Sequence, residues 1–199
     1  MSSVESADSL VKRMEEAGYV IFRECRGKAP NLNLVVSRAI PGSPNAFDDQ
    51  LFCIWWDEHE QIHALHWMVT ADPGFYYLYA PMRRDGTAVL CHPQQIRAGF
   101  TLGKHKGAYD CLVQTRPLKV WRDANKDGIV DYGGKEYIDS QGIQIHKAGE
   151  MSTQVGKWSA GCVVFAREAD FEEFMALVMA SAKVYGKTFT LTILDSQRW

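Results

Sequence analysis

Cys162 stands sixteen positions after His146 in the segment GIQIHKAGEMSTQVGKWSAGCVVF, and the thiol is preceded by Ser159, Ala160 and Gly161. A cysteine nucleophile needs a base within hydrogen-bond reach and N–H donors aimed at the oxyanion that forms when it attacks a carbonyl. His146, at the end of a strand-like run, supplies the base, and the small residues before Cys162 permit a tight turn with exposed main-chain amides. The spacing is too long for one helix face; it suits a strand, a loop that folds over and a return to the same cleft. The same residues would equally serve as a core cysteine and a hydrogen-bonded histidine.

Two further patterns carry chemistry of other kinds. In HEQIH, His59 and His63 stand four apart with Glu60 between them and His66 three residues on. On a helix this arrangement holds zinc and polarises a bound water. The flanks CIWWD and ALHWMVT are strand-like, however, and a charged hairpin tip is the competing reading. In DANKDGIVD, Asp123, Asn125, Asp127 and Asp131 alternate around Gly128, as in loops that wrap oxygen ligands around calcium. Gly134 stands where a terminal bidentate Glu would close such a loop, and a β-turn rich in Asn, Asp and Gly has the same composition. A structural calcium is one expectation for it and a plain turn the other; the thiol chemistry itself expects no cofactor.

The elements that must position these groups are mostly strands. Leu10, Val11, Met14 and Ala17 recur at helical spacing before Gly18, which predicts a short amphipathic helix over residues 7–17. GYVIF and NLNLVVSR read as strands, as do LFCIWW, ALHWMVT, FYYLY, TAVLC, CLVQT, LKVW, IQIH and TFTLTIL. The exception is ADFEEFMALVMASAKVYG, a helical stripe of Phe171, Phe174, Met175, Val178 and Ala182 with Asp170 as N-cap and Gly186 as stop. The expected class is mainly β, a β-rich α+β fold. His105, between Gly103 and Gly107, is expected in a loop that could reach a cleft.

Composition bounds the function. With 199 residues, 46% of them hydrophobic, and a formal net charge of −2, the chain suits one folded domain with no field for holding nucleic acid. No run approaches the ~18 apolar residues that span a bilayer, and the first seventeen residues do not have the pattern of a secretory leader. Synthesis in the cytoplasm is therefore expected. Five cysteines, an odd count without any CxxC pair, argue against a disulfide framework. Cys25, Cys53, Cys91 and Cys111 read as core thiols, which leaves Cys162.

The string IH, a twelve-residue loop, then SAGC before an apolar run resembles the signature of the L,D-transpeptidase (YkuD-like) catalytic-domain family, which reads HG…S(H/K)GC(I/V)R. Thr70-Ala71-Asp72-Pro73-Gly74-Phe75 is similar to the family's T-P-x-G-x-F turn, and a helix and closing strand follow the cysteine in both. The resemblance covers about residues 47–195. It implies an L,D-transpeptidase-like β-sandwich or barrel over residues 47–199, with residues 1–46 as an N-terminal helix and strands packed on the same domain.

The resemblance also implies a reaction. Cys162 would attack the carbonyl of an L,D peptide bond in a peptidoglycan stem, with His146 as base and the N–H groups of Gly161 and Cys162 as oxyanion donors. Ser159 would brace the turn. An amine arriving at the thioester gives transpeptidation; water gives L,D-carboxypeptidase or endopeptidase action. Two departures stand out: Lys147 replaces the family's Gly after the His, and Val164 stands where an Arg that fixes the substrate carboxylate is usual. Arg167 or the Arg83-Arg84 pair would have to replace that Arg, and Arg167, Trp158 and His105 are the expected substrate-binding residues. Action at the cell wall would follow lysis, as for a phage or prophage enzyme, or delivery by a secretion apparatus. A zinc metallopeptidase using His59, Glu60 and His63, or an aromatic-rich module that binds cell wall without catalysis, are the other readings.

Overall fold

The computed structural model describes residues 5–43, 45–140 and 142–196. Helix α1 (Ala7–Glu16) begins where the Ser6 hydroxyl accepts the Ser9 amide at 3.2 Å. Its stripe of Leu10, Val11 and Met14 is buried, each such side chain contributing on the order of 1.5–3 kcal/mol. The partners of that stripe lie on β1 (Asn33–Arg38) and β2 (Asp49–Trp56). Alternation along the two strands sends Leu34, Val36, Leu51 and Cys53 into one core, and Val35, Phe52, Ile54 and Trp56 against α1. Strand β3 (Ile62–Thr70) returns antiparallel to β2.

The chain continues through α2 (Phe75–Tyr79), β4 (Thr87–Leu90), β5 (Gln94–His105), β6 (Tyr109–Gln114), β7 (Leu118–Asp123), β8 (Tyr137–Asp139), β9 (Gln144–Lys147) and β10 (Val163–Phe165). It ends with α3 (Glu168–Tyr185) and β11 (Thr188–Asp195). Eight strands close into a barrel in the order β1, β11, β5, β6, β9, β10, β3, β2. The β1/β11 and β9/β10 pairs are parallel. Strands β4, β7 and β8 form a separate antiparallel sheet. Because β1 pairs with both β2 and β11, the N-terminal part shares the barrel with the rest of the chain. The fold is mainly β, and among the described residues no helix is long and apolar enough to cross a membrane.

Helix α3 buries Phe171, Phe174, Met175 and Val178 in the main core. Phe174 meets Trp67 edge-on at 5.9 Å, and the Trp67 indole N–H donates to Glu173 at 2.7 Å. The N-cap is Arg167 rather than Asp170; Asp170 sits in the first turn, where its charge complements the helix dipole.

Three other expectations fail for identifiable reasons. GYVIF pairs with no strand, because side-chain amides take its backbone groups: Val20 N–H donates to Gln95 Oε1 at 3.0 Å, and Phe22 exchanges two hydrogen bonds with the Asn33 carboxamide. FYYLY is the short helix α2, opened by Gly74, and it buries Leu78 alone. Cys25 is only half-buried, with its thiol donating to the Gly27 carbonyl, whereas Cys53, Cys91 and Cys111 are buried.

Candidate active site

Parallel pairing of β9 with β10 sets Ile145 opposite Val163 and His146 opposite Val164. Those β10 residues are buried, which fixes the register. One step before the ladder, Cys162 therefore comes level with Gln144, on the same face as His146. Cys162, Gln144 and His146 all line one cavity of about 660 Å³.

The turn that delivers the thiol is held from within. Ser159 is fully buried; its Oγ accepts the Gly161 amide at 3.1 Å and donates to the Cys162 carbonyl at 2.9 Å. Its own carbonyl accepts the Gly74 amide at 2.9 Å. Gly161 has φ +114°, and a Cβ there would stand 2.5 Å from the Ala88 carbonyl oxygen, so both the backbone conformation and the close approach demand glycine. The expectation that Gly161 donates to an oxyanion is corrected by these bonds, since Ser159 Oγ already takes its N–H. The Cys162 N–H is the donor left from that pair.

His146 is 3% exposed, and its Nδ1–H donates to the Lys147 carbonyl at 2.8 Å. A carbonyl can only accept, so the proton is placed on Nδ1 and Nε2 is left as the basic nitrogen. The same carbonyl accepts the Tyr109 hydroxyl at 3.3 Å. The Lys147 side chain pairs with Glu168 and lies 5.0 Å from the Tyr109 ring centre. His105 stacks on His146 with ring centres 4.3 Å apart, and its Nδ1–H donates to Gln144 Oε1 at 2.6 Å. It is the last residue of β5 rather than a loop residue.

Burial pushes the Cys162 thiol up to about 11, with the Gln144 main-chain amide and the Lys106 charge pulling the other way. Burial also pulls the His146 imidazole down to about 4; its bond to Lys147 opposes this, and the charges of His105 and Lys106 reinforce it. At neutral pH the pair rests as thiol and neutral imidazole. The thiol Sγ donates to the Gly142 carbonyl at 3.7 Å, not to the imidazole.

Trp158, 46% exposed, lines the cavity with His105. Arg167 does not; it is exposed and pairs with Asp170 at 3.5 Å. Of Arg83 and Arg84, Arg83 alone reaches the wall, where it pairs with Asp85. The cavity also receives Lys106, Arg122 and Lys157, which sequence reasoning passed over, and, among the described residues, no acidic side chain. Only Lys106 had a local signal, as the neighbour of His105 in GKHKG.

The other two patterns lie elsewhere. His59 and Glu60 occupy the turn between β2 and β3, where Glu60 has φ +58°. His63 lies on β3, stacked on Trp55 and bonded to Asp57 at 2.8 Å, and His66 stacks on Phe52. His59 and His63 therefore share no helical face, which corrects the zinc reading. In the β7–β8 connection, the Asn125 carboxamide donates to Asp127 at 3.1 Å and to Asp131 at 2.9 Å. Among the described residues, no three His, Cys, Asp or Glu side chains converge to metal-binding distance.

No family model matches this chain, and no curated protein or solved structure matches it.

Proposed function

We propose that this protein is a cysteine-dependent acyl-transfer enzyme of the L,D-transpeptidase kind, acting on peptidoglycan stem peptides at the cell wall. The observation that carries the reading is the shared cavity wall: a thiol on a braced turn and an imidazole with its Nδ1 proton fixed by a main-chain carbonyl. Structural cysteine and histidine pairs have no need of an open cavity of this size.

In the reaction, Nε2 of His146 takes the Cys162 proton as Sγ bonds to the substrate carbonyl carbon, and the Cys162 N–H donates to the developing oxyanion. The imidazolium then protonates the leaving amine as the C–N bond breaks, which leaves a thioester. Water or an acceptor amine attacks the thioester, gives up a proton to His146 and restores the thiol. Because both groups rest neutral, the proton moves together with the attack instead of in a prior ionisation. The cations Arg83, Lys106, Arg122 and Lys157, in a lining without an acidic side chain among the described residues, suit a substrate carboxylate, the role that the Arg after the family's cysteine would have had. The main-chain bond from His146 to Lys147 supports the same reading, since it orients the base whatever side chain follows.

Incubation with purified disaccharide-tetrapeptide, followed by intact-protein mass spectrometry, tests this. An acyl adduct confined to Cys162, with release of the terminal D-amino acid, is the expected result, and Cys162→Ser should lose both. Full turnover by that variant would overturn the assignment, and wall binding without adduct or release would point to the non-catalytic module.

A further inference from the structure

The wall around Cys162 and His146 carries charge of one sign. Arg83, Lys106, Arg122 and Lys157 all line the cavity. Arg83 bonds to Asp85 at 2.8 and 2.9 Å, and Arg122 Nε stands 3.8 Å from the same carboxylate, so two cations share one anion. Lys157 lies over the Tyr76 ring, with its ammonium 4.4 Å from the ring centre. Among the described residues, neither Lys157 nor Lys106 has a carboxylate partner. Acidic groups of the adjoining elements are engaged elsewhere, Asp110 by Lys104 at 2.9 Å and Glu168 by Lys147. The charges that act on the two reacting groups are cationic too: Lys106 on both, and His105 on His146.

A cleft lined by one sign of charge concentrates the opposite charge and repels its own. The terminal carboxylate of a donor stem is drawn in by such a wall. An acceptor amine meets the opposite treatment. With a pKa of about 10.4, as for a lysine side chain, only about 1 amine in 2,500 is neutral at pH 7. The rest arrive as ammonium ions, which the four cations repel, and no lining carboxylate among the described residues holds one while it loses its proton. Water has no charge to be repelled and needs no such holder.

We propose that the cationic wall reserves the Cys162 thioester for water, so that the enzyme shortens stem peptides as an L,D-carboxypeptidase and does not cross-link them. This inference rests on the acyl-transfer reading above and concerns its second half. There the water oxygen bonds to the acyl carbon and gives one proton to His146 Nε2 as the C–S bond breaks. His146 returns that proton to Sγ, and the new carboxyl group loses its remaining proton to solvent. The product is a stem one residue shorter, ending in a carboxylate that leaves with the D-amino acid already released.

The test offers both acceptors at once. The full chain is incubated at neutral pH with disaccharide-tetrapeptide as donor and an excess of amine-bearing disaccharide-tripeptide as acceptor. Released D-amino acid counts every thioester formed, and cross-linked dimer counts those that an amine discharged. Their ratio is set after the thioester exists, so it does not depend on how well the donor binds. Released D-amino acid should far exceed dimer. Lys106 and Lys157 are exposed, so Lys106→Glu and Lys157→Glu should fold; each should slow release yet raise the dimer share by roughly 2–10-fold, less so in high salt. Hydroxylamine, largely uncharged at neutral pH, should intercept the thioester of the unaltered chain as a hydroxamate. Dimer as the main product would overturn the proposal and leave the acyl-transfer reading standing. A dimer share unmoved in both lysine variants, or a thioester that hydroxylamine does not reach, would do the same, because shape and not charge would then exclude the amine. Neither release nor an adduct on Cys162 would remove the acyl-transfer reading itself, and this inference with it.

Discussion

The cluster around Arg38 and the cleft around His146 both take ionisable groups out of water, and they treat them in opposite ways. The Arg38 guanidinium is fully buried, donates to the Leu90 carbonyl and to Asp72, and lies over the Tyr132 ring with its carbon 5.3 Å from the ring centre. The Tyr132 hydroxyl donates to the second Asp72 oxygen at 2.6 Å, and the nearby Asp49 carboxylate accepts main-chain amides from Ala39 and Ala71. Apart from the Arg38 Nε, which has no partner, that cluster is saturated, and it ties β1 and β2 to the loop after β3. In the cleft, among the described residues, His146 is bonded through Nδ1, and the Cys162 thiol has a long bond of 3.7 Å to a carbonyl beside the Gln144 main-chain amide. A saturated cluster holds a fold together; an undersaturated one with its register fixed is free to act on a substrate.

The largest expected effects separate these two regions. Arg38→Met leaves Asp72 and Asp49 buried without their cation, which should cost about 3–5 kcal/mol of stability and lower Tm by about 10 °C or more. His146→Asn removes one neutral hydrogen bond and should cost only about 1–2 kcal/mol, while the rate of D-amino acid release falls about 10²–10⁴-fold. Thermal unfolding and turnover measured on the same two preparations decide the matter. A His146 variant that is badly destabilised yet active would erase the contrast.

The same contrast explains what could be read from the amino-acid string. The nucleophile turn is local: Ser159, Gly161 and Cys162 bond to one another within four residues, so composition alone pointed to it. Helices α1 and α3 were legible because Leu10, Val11 and Met14, and Phe171, Phe174 and Val178, repeat at the helical period. The cations of the cavity were not. Lys106 comes from the β5–β6 turn, where only its neighbour His105 hinted at a cleft, while Arg122 comes from β7 and Lys157 from the loop before Cys162, whose neighbourhoods do not announce that the fold brings them together. Arg167 misled for the converse reason, since closeness along the chain placed it near Cys162 while β10 carries it away from the cavity. Strand β5 was missed because its pattern is broken midway, where Ala98 has φ +47° and the register with β11 shifts.

A smaller effect probes how the cleft is tuned. Lys106 has φ +47°, an unusual conformation for a residue with a side chain, and it keeps an ammonium group at the cavity where glycine would fit the backbone better. Its charge lowers both the Cys162 thiol and the His146 imidazole. Lys106→Met should therefore raise both. In the pH profile of kcat/KM, the acid limb, set by His146 losing its proton, moves to higher pH, and so does the alkaline limb. Iodoacetamide alkylation of Cys162 at pH 8, followed by peptide mass spectrometry, should slow by less than about tenfold because the lysine is exposed. Added salt should shrink the difference between the two proteins. Limbs that move to lower pH would contradict the assignment of Lys106 as the nearby cation.

The smallest effect is expected at Lys147, and it is the sharpest test of where the base gets its orientation. The His146 Nδ1–H is held by the Lys147 main-chain carbonyl, and that carbonyl is kept in place by the β9–β10 ladder, which pairs Lys147 with Phe165. The side chain turns toward Glu168 and Tyr109. Lys147→Ala removes an ion pair worth about 0–1 kcal/mol and leaves the carbonyl untouched, so kcat/KM should stay within about fivefold of wild type, which corresponds to that energy. Tm should move by no more than a few degrees. A loss as deep as that of His146→Asn would mean that the ammonium group, and not the backbone, orients the imidazole. The cleft would then depend on a charged side chain in the way the Arg38 cluster does, and the two regions would no longer differ in kind.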